Sequence, residues 1–164
     1  MSLIHWWPLN GDTLDYIGGK NGVLLGDANV TTIGKTGKCL SGMNEAQTIA
    51  GVSVPNCNLI DELTSNYSFA CWFKVHGTHV HYNGTIMSSG NWNKQAWAVG
   101  VDQSNSKIDV FDNKYNHWVN IGYTLTSEKW YHLVSVFQNG TSFVYLNGEF
   151  IGQRASDPVQ YSDA

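Results

Sequence analysis

The fold is decided by the stretch Trp130-Tyr-His-Leu-Val-Ser-Val-Phe-Gln138, which continues as Asn139-Gly140, Thr141-Ser-Phe-Val-Tyr-Leu146, Asn147-Gly148 and Glu149-Phe-Ile-Gly152. Asn-Gly between apolar runs is the strongest short-range hairpin signal, because both residues tolerate the left-handed backbone of tight turns. In the middle run, alternate residues are apolar on both faces. The pattern predicts a three-stranded antiparallel meander with a central second strand.

Apolar runs separated by turn residues predict further strands along the chain. They cover residues 3–9, 37–42, 46–50, 67–75, 84–88, 95–101, 107–111 and 117–123. Many short strands at this spacing are typical of a sandwich or barrel, and the alternating helices of a parallel α/β sheet are lacking. We therefore expect residues 1–164 to form a single all-β domain, a two-sheet antiparallel β-sandwich.

The charge pattern argues against two classes of partner. Only 13% of residues are charged, the formal net charge is -4, and Arg154 is the only arginine. The basic surface that neutralises phosphates in nucleic-acid-binding proteins is missing. No apolar run approaches the roughly 20 residues of a membrane-spanning helix. We expect neither nucleic acid as a partner nor membrane insertion.

Cys39, Cys57 and Cys71 are an odd number of cysteines without metal-binding spacing, which favours free thiols. A Cys39–Cys57 disulfide remains the alternative. Cys71 shares a strand face with Phe69 and Phe73, and there it would serve as a small core hydrophobe.

Several motifs occur in the order seen in a known family. Trp7-Pro-Leu-Asn-Gly-Asp-Thr-Leu-Asp15 opens the chain, and Gly34-Lys-Thr-Gly-Lys-Cys-Leu-Ser-Gly42 and Tyr67-Ser-Phe-Ala-Cys-Trp-Phe-Lys74 follow. Lys129-Trp-Tyr-His-Leu-Val-Ser-Val-Phe137 and Phe143-Val-Tyr-Leu-Asn-Gly148 complete the series. From residue 3 to about residue 153, the chain resembles laminin-G-like jelly-roll domains of the concanavalin A-like lectin/glucanase superfamily. The resemblance implies a jelly-roll sandwich.

The resemblance also raises the question of calcium. Asp12, Asp15 and Asp27 lie in Gly-rich loops and offer the oxygen ligands that Ca²⁺ prefers. The resemblance favours Asp15 most, whereas the alternative is that these side chains bond their own turns. Such domains usually close with a further strand, which often supplies a calcium ligand. Its pattern is missing here, so a domain clipped at its C-terminal strand is the alternative to a complete one.

The histidines give little support for a metal site. His79 and His81 would share a face of an extended segment, but a zinc site needs three or four ligands and a solvated loop is the favoured interpretation. His132 lies within an apolar strand and is predicted to be a core histidine.

Catalysis finds little support in the sequence. Glycoside hydrolysis needs two carboxylates across the scissile bond, and Asp109 and Asp112 would point to opposite faces of a regular strand. The nucleophile, phosphate-loop and metalloprotease motifs are lacking. We expect a protein that is not an enzyme.

Two segments combine aromatic rings with amides, the residue types that suit the apolar face and the hydroxyls of a sugar. The predicted carbohydrate-binding residues are Asn91, Trp92, Asn93, Asn113, Tyr115, Asn116 and Trp118. The alternative for Trp118, and for Trp97, is a strand residue that fills the core.

The sequence favours a non-catalytic recognition module that binds a glycan or a protein surface. We expect it to be part of a longer surface or phage tail protein, with an extracellular surface or a virion as its location. The first alternative is a structural domain that mediates assembly of a virion or adhesin. The second is a glycoside hydrolase-like enzyme.

Overall fold

The structure is a computed structural model that describes residues 2–41, 50–55, 57, 66–76, 84–89, 97–102, 106–112 and 117–155. The chain forms two compact units, Met1–Asn58 and Leu59–Ala164, which we call the N-terminal unit and the C-terminal unit. None of the described residues belongs to a helix that is long and apolar enough to cross a membrane.

The described part of the N-terminal unit contains four short strands in two antiparallel pairs. The strands are β1 (Val23–Leu25), β2 (Asn29–Ile33), β3 (Lys38–Ser41) and β4 (Gly51–Ser53). β1 pairs with β4, and β2 pairs with β3.

The described part of the C-terminal unit contains two four-stranded antiparallel sheets. Its strands are β5 (Asn66–Lys74), β6 (Gly84–Ser89), β7 (Trp97–Asp102), β8 (Lys107–Asp112), β9 (His117–Thr124), β10 (Trp130–Gln138), β11 (Thr141–Leu146) and β12 (Glu149–Ala155). One sheet has the order β12-β11-β10-β5, and the other has the order β6-β7-β8-β9. This confirms the predicted all-β sandwich.

The predicted meander is confirmed in full. β11 pairs with β10 on one side and with β12 on the other, so it is a central strand. Both turns have two consecutive residues at positive φ: 50° and 75° at Asn139 and Gly140, and 53° and 86° at Asn147 and Gly148. This is the turn geometry whose twist matches that of paired strands, which explains the choice of Asn-Gly.

The core lies between the two sheets of the C-terminal unit. Its buried residues are Val99, Val101, Ile108, Val110, Leu125, Tyr131, Leu133, Val144 and Leu146. Phe69, Cys71 and Phe73 of β5 pack against this cluster, as predicted. None of the three cysteines, all of which are among the described residues, forms a disulfide. Burial raises the pKa of Cys71 to about 11, so its thiol stays protonated at neutral pH.

Two predictions about local structure were wrong. Residues 3–9 form no strand, because Trp6 directs its N–H to the Asp15 carboxylate and Leu9 has a φ of 54°. His132 is not in the core, because the odd-numbered residues of β10 are the buried ones and the His132 ring lies 5.0 Å from the half-exposed Trp72 ring instead. Of the predicted strand at 46–50, residues 46–49 lie outside the described residues.

Candidate functional site

The sheet β6-β7-β8-β9 carries the part of the predicted sugar site that the structure describes. Of the seven predicted carbohydrate-binding residues, Trp118 lies in β9. The other six lie outside the described residues: Asn91, Trp92, Asn93, Asn113, Tyr115 and Asn116.

The strand ends that flank these six residues lie at one end of the sheet. Ser89 pairs with Trp97, and Asp112 pairs with His117. β7 and β8 are neighbours whose register places their ends side by side. Neighbouring strands are about 4.8 Å apart. The attachment points of segments 90–96 and 113–116 therefore form one row of four strand ends.

The face of this sheet that points away from the core is the structural centre of the candidate site. Val99, Val101, Ile108 and Val110 point into the core, so the alternate residues point to the opposite face. We call this surface the tryptophan face; it includes Gly100, Asp102, Asp109, Phe111, Trp118 and Asn120.

The indole ring of Trp118, in β9, extends across β8 toward Gly100 in β7. A Cβ atom added at Gly100, two strands away, would lie 3.2 Å from Cη2 and from Cζ3 of Trp118 and 2.8 Å from the carbonyl oxygen of Gly84. The Trp118 ring meets Phe111 edge-on, with centroids 5.6 Å apart. Only a residue without a side chain at position 100 leaves room for the indole. Trp118 is thus a half-buried strand residue on the face opposite the core.

A polar pair lies beside the indole. Asn120 Nδ2 donates a hydrogen bond to Asp109 Oδ1 at 2.9 Å, and Asn120 Oδ1 accepts one from the N–H of Gly122 at 2.7 Å. Asp109 is only 5% exposed. Burial raises the pKa of Asp109, the charge of Asp102 raises it further, and the Asn120 hydrogen bond and Lys107 oppose the shift.

Sequence reasoning missed the Asp109–Asn120 pair as part of the site. The two residues are eleven positions apart, and only the β8–β9 register shows that they face each other across the strands. The one sequence signal for this pair was Asp109, a carboxylate among the apolar residues of a strand, and it was interpreted only as a candidate for catalysis.

The residues predicted to bind calcium belong to the N-terminal unit, and Asp15 does not fit that role. Its side chain is 0% exposed. It accepts hydrogen bonds from His5 Nδ1 at 2.6 Å and from backbone N–H groups at 2.9 to 3.1 Å. The backbone donors are Trp6, Ile17, Gly18 and Lys20. Both carboxylate oxygens are engaged by N–H donors, which compete with a cation for the same lone pairs.

The electrostatics of Asp15 agree with a structural role. Burial alone would raise its pKa, but the hydrogen bonds, led by the Trp6 N–H and His5, hold the pKa well below its usual range. The carboxylate is ionised, so the His5 Nδ1–H is the donor of their short contact. Asp15 therefore closes the loop of residues 5–20 on itself.

Asp12 and Asp27 leave the calcium hypothesis open. Asp12 accepts hydrogen bonds from the Leu14 N–H and the Tyr16 hydroxyl. Within the part of the chain that the structure describes, no three His, Cys, Asp or Glu side chains cluster closely enough to hold a metal. Calcium binding stays a prediction.

The comparisons with known proteins agree with this fold. A laminin-G-type family model, described as concanavalin A-like lectin/glucanases superfamily, matches residues 47–164. The search of the curated proteins found no significant match.

Two similar solved structures share the fold at low sequence identity. One is domain 4 of an extracellular GH43 arabinanase from Geobacillus stearothermophilus, solved in complex with arabinotriose. It has a TM-score of 0.64 and 19% identity, over 94% of this chain and 74% of that one. The other is the binding domain of botulinum neurotoxin serotype D, with a TM-score of 0.55 and 17% identity. The alignment covers 92% of this chain and 38% of the neurotoxin chain.

Proposed function

The chain belongs to the concanavalin A-like lectin/glucanases superfamily, and from this premise we propose that it is a non-catalytic module that binds carbohydrate through the tryptophan face and the adjoining end of the sheet. It would serve as one part of a larger surface or phage tail protein. The observation that carries the proposal is the placement of Trp118 and the Asp109–Asn120 pair on one face, beside the strand ends that hold the Asn- and Trp-bearing segments.

The chemistry of this face suits a sugar. A sugar ring has an apolar face of C–H groups and a rim of hydroxyls, so it needs a flat apolar surface next to hydrogen-bonding groups. Trp118 supplies the ring. Asn120 is two residues along the same strand face, about 7 Å away, and it is oriented by Asp109 and Gly122 before any ligand arrives. Such preorganisation lowers the entropic cost of binding.

The neighbouring structure with arabinotriose supports this ligand class. That domain belongs to an arabinanase and was solved with the trisaccharide. Because the identity is 19%, the comparison suggests a probe to test and does not identify the ligand of this chain.

A binding role fits the tryptophan face better than hydrolysis. Glycosidases place two carboxylates on opposite sides of the scissile bond. Asp102 and Asp109 lie on neighbouring strands of this one face, not on opposite sides of a cleft, and Asp109 is buried and hydrogen-bonded to an amide.

Calorimetry with Trp92→Ala tests the proposal. A glycan array that includes arabinotriose selects the glycan that the unaltered chain binds most strongly, and titration with that glycan compares the variants. Loss of a stacking ring should weaken affinity about tenfold or more. Trp72→Ala is the matched control, because Trp72 is 50% exposed but lies in the other sheet. Failure of every glycan to bind, or equal affinity of the Trp92→Ala variant, overturns the proposal.

A further inference from the structure

The N-terminal unit carries an exposed aromatic cluster that the proposed sugar site does not use. Trp6 is 52% exposed and Tyr16 is 56% exposed. Their ring centroids are 5.9 Å apart at an interplanar angle of 57°. Both residues precede the segment that the family model matches, residues 47–164.

A carboxylate completes the cluster. The Tyr16 hydroxyl donates a hydrogen bond to Asp12 Oδ2 at 2.9 Å, and Asp12 Oδ1 accepts one from the Leu14 N–H at 3.1 Å. The hydrogen bond to Asp12 raises the pKa of Tyr16, so the hydroxyl remains a donor to the carboxylate and keeps its lone pairs for a further donor. Two aromatic rings and two oxygen acceptors thus lie together at the surface.

The backbone beneath these side chains is firmly held. The Trp6 N–H donates to the buried carboxylate of Asp15 at 2.9 Å, and the Trp6 carbonyl accepts from the Tyr16 N–H at 3.0 Å. A Cβ atom at Gly18 would lie 2.2 Å from the His5 ring, which shows how tightly this loop is packed. Large aromatic side chains that are exposed on a rigid backbone are typical of binding surfaces rather than of packing.

We propose that Trp6, Tyr16 and Asp12 form a second saccharide-binding site, independent of the tryptophan face. The Trp6 ring takes the C–H face of a sugar, and Asp12 and the Tyr16 hydroxyl accept hydrogen bonds from the sugar hydroxyls. The inference rests on the proposed function only in that both sites take the same class of ligand.

Indole N–H signals in two-dimensional NMR test the second site. The chain has seven tryptophans, and Trp6→Phe identifies the Trp6 signal. Arabinotriose, or a glycan that the array shows to bind more strongly, is titrated into the full chain. We expect the Trp6 signal to shift in a saturable manner. Tyr16→Phe should weaken the binding that this shift reports by about threefold to tenfold. Ile33→Ala, at a residue that is 86% exposed, should leave it unchanged.

The same titration separates the two proposals. In the Trp92→Ala variant, the Trp6 shift should persist, because the two sites are independent. Binding that leaves the Trp6 signal unmoved overturns the second site and spares the proposed function. A shift of Trp6 alone, insensitive to Trp92→Ala, supports the second site and overturns the first. A Trp6 shift with choline and none with saccharides would show a cation site instead, and absence of any shift overturns the inference.

Discussion

At the scale of single residues, two buried carboxylates are held in opposite electrostatic states. Asp15 is surrounded by N–H donors and has a lowered pKa, whereas Asp109 is buried beside an amide and has a raised pKa. The first arrangement stabilises the ionised form and the second opposes it. Asp15 therefore stabilises the fold, whereas the ionised form of Asp109 is expected to cost stability.

Asp15→Asn should destabilise the protein at neutral pH. The folded-state pKa of Asp15 lies below the unfolded value of about 3.9, so the stabilisation is present above that value and is lost as the pH falls toward the folded pKa. We expect a loss of about 3 kcal/mol at pH 7 that shrinks below about pH 4. Urea denaturation of both proteins at several pH values measures it, and a difference that does not depend on pH would contradict the role given to the ionised carboxylate.

Asp109→Asn should have the opposite effect on stability. The folded-state pKa is raised, so the ionised carboxylate costs stability at pH values above it, and the cost disappears below the unfolded pKa of about 3.9. The variant should be more stable than the unaltered protein at pH 7, by on the order of 1 kcal/mol, and about equal to it at pH 3. The same denaturation series measures this. A variant that is less stable at pH 7 would show that the carboxylate is a structural acceptor.

At the scale of single elements, β7 explains how Trp118 is placed. A Cβ atom at Gly100 of β7 would lie 2.8 Å from the Gly84 carbonyl oxygen of β6 and 3.2 Å from the Trp118 ring of β9, so glycine leaves room for both. The glycine weakens β7 intrinsically, since it has no side chain to pack. Its presence there indicates a close approach across the face of the sheet.

Gly100→Ala should therefore be costly. The new methyl group would lie 2.8 Å from a backbone carbonyl oxygen and 3.2 Å from the Trp118 ring, so we expect a loss of roughly 1–3 kcal/mol and weaker glycan binding. Gly51→Ala is the matched control, because nothing lies within 4 Å of its Cβ position, and it should change stability by less than about 0.5 kcal/mol. Equal effects of the two variants in urea denaturation would refute the packing argument.

The elements also show where sequence reasoning succeeds. The strands of the meander follow from Asn-Gly turns and from alternation, both of which are local signals. The run at residues 3–9 is also rich in apolar residues, but the N–H of Trp6 bonds to the side chain of Asp15, nine residues away along the chain. His132 was misplaced because alternation gives two faces and does not say which one meets the other sheet. In both cases the local structure is determined by a contact between residues that are far apart in the sequence.

At the scale of the whole molecule, the fold and the family are established and the ligand is a proposal. The predicted class, an antiparallel sandwich of the concanavalin A-like type, is confirmed. For the candidate sugar site, the sequence predicted which types of residue take part but not which residues face each other. Asparagines and tryptophans near one another in sequence indicate sugar chemistry, but the pairing of Asp109 with Asn120 depends on register, which a single sequence does not determine.

Calcium removal is a whole-molecule test of the role given to Asp15. An ion that binds the folded state raises its stability by mass action. Because the Asp15 oxygens are engaged by N–H donors, we expect thermal unfolding in calcium chloride and in EGTA to agree within about 1 °C. Magnesium chloride is the control for ionic strength. A clear rise of Tm that is specific to calcium would support the calcium site predicted at Asp12, Asp15 and Asp27 and contradict the purely structural role given to Asp15.

A crystal structure of the chain with the glycan that binds most strongly on the array would show whether carbohydrate binds at the tryptophan face. We expect a sugar ring against both Trp92 and Trp118, with hydroxyls bonded to the asparagines of the tryptophan face and of the adjoining strand ends. A glycan bound only at other surfaces, with this end of the sheet empty, would contradict it.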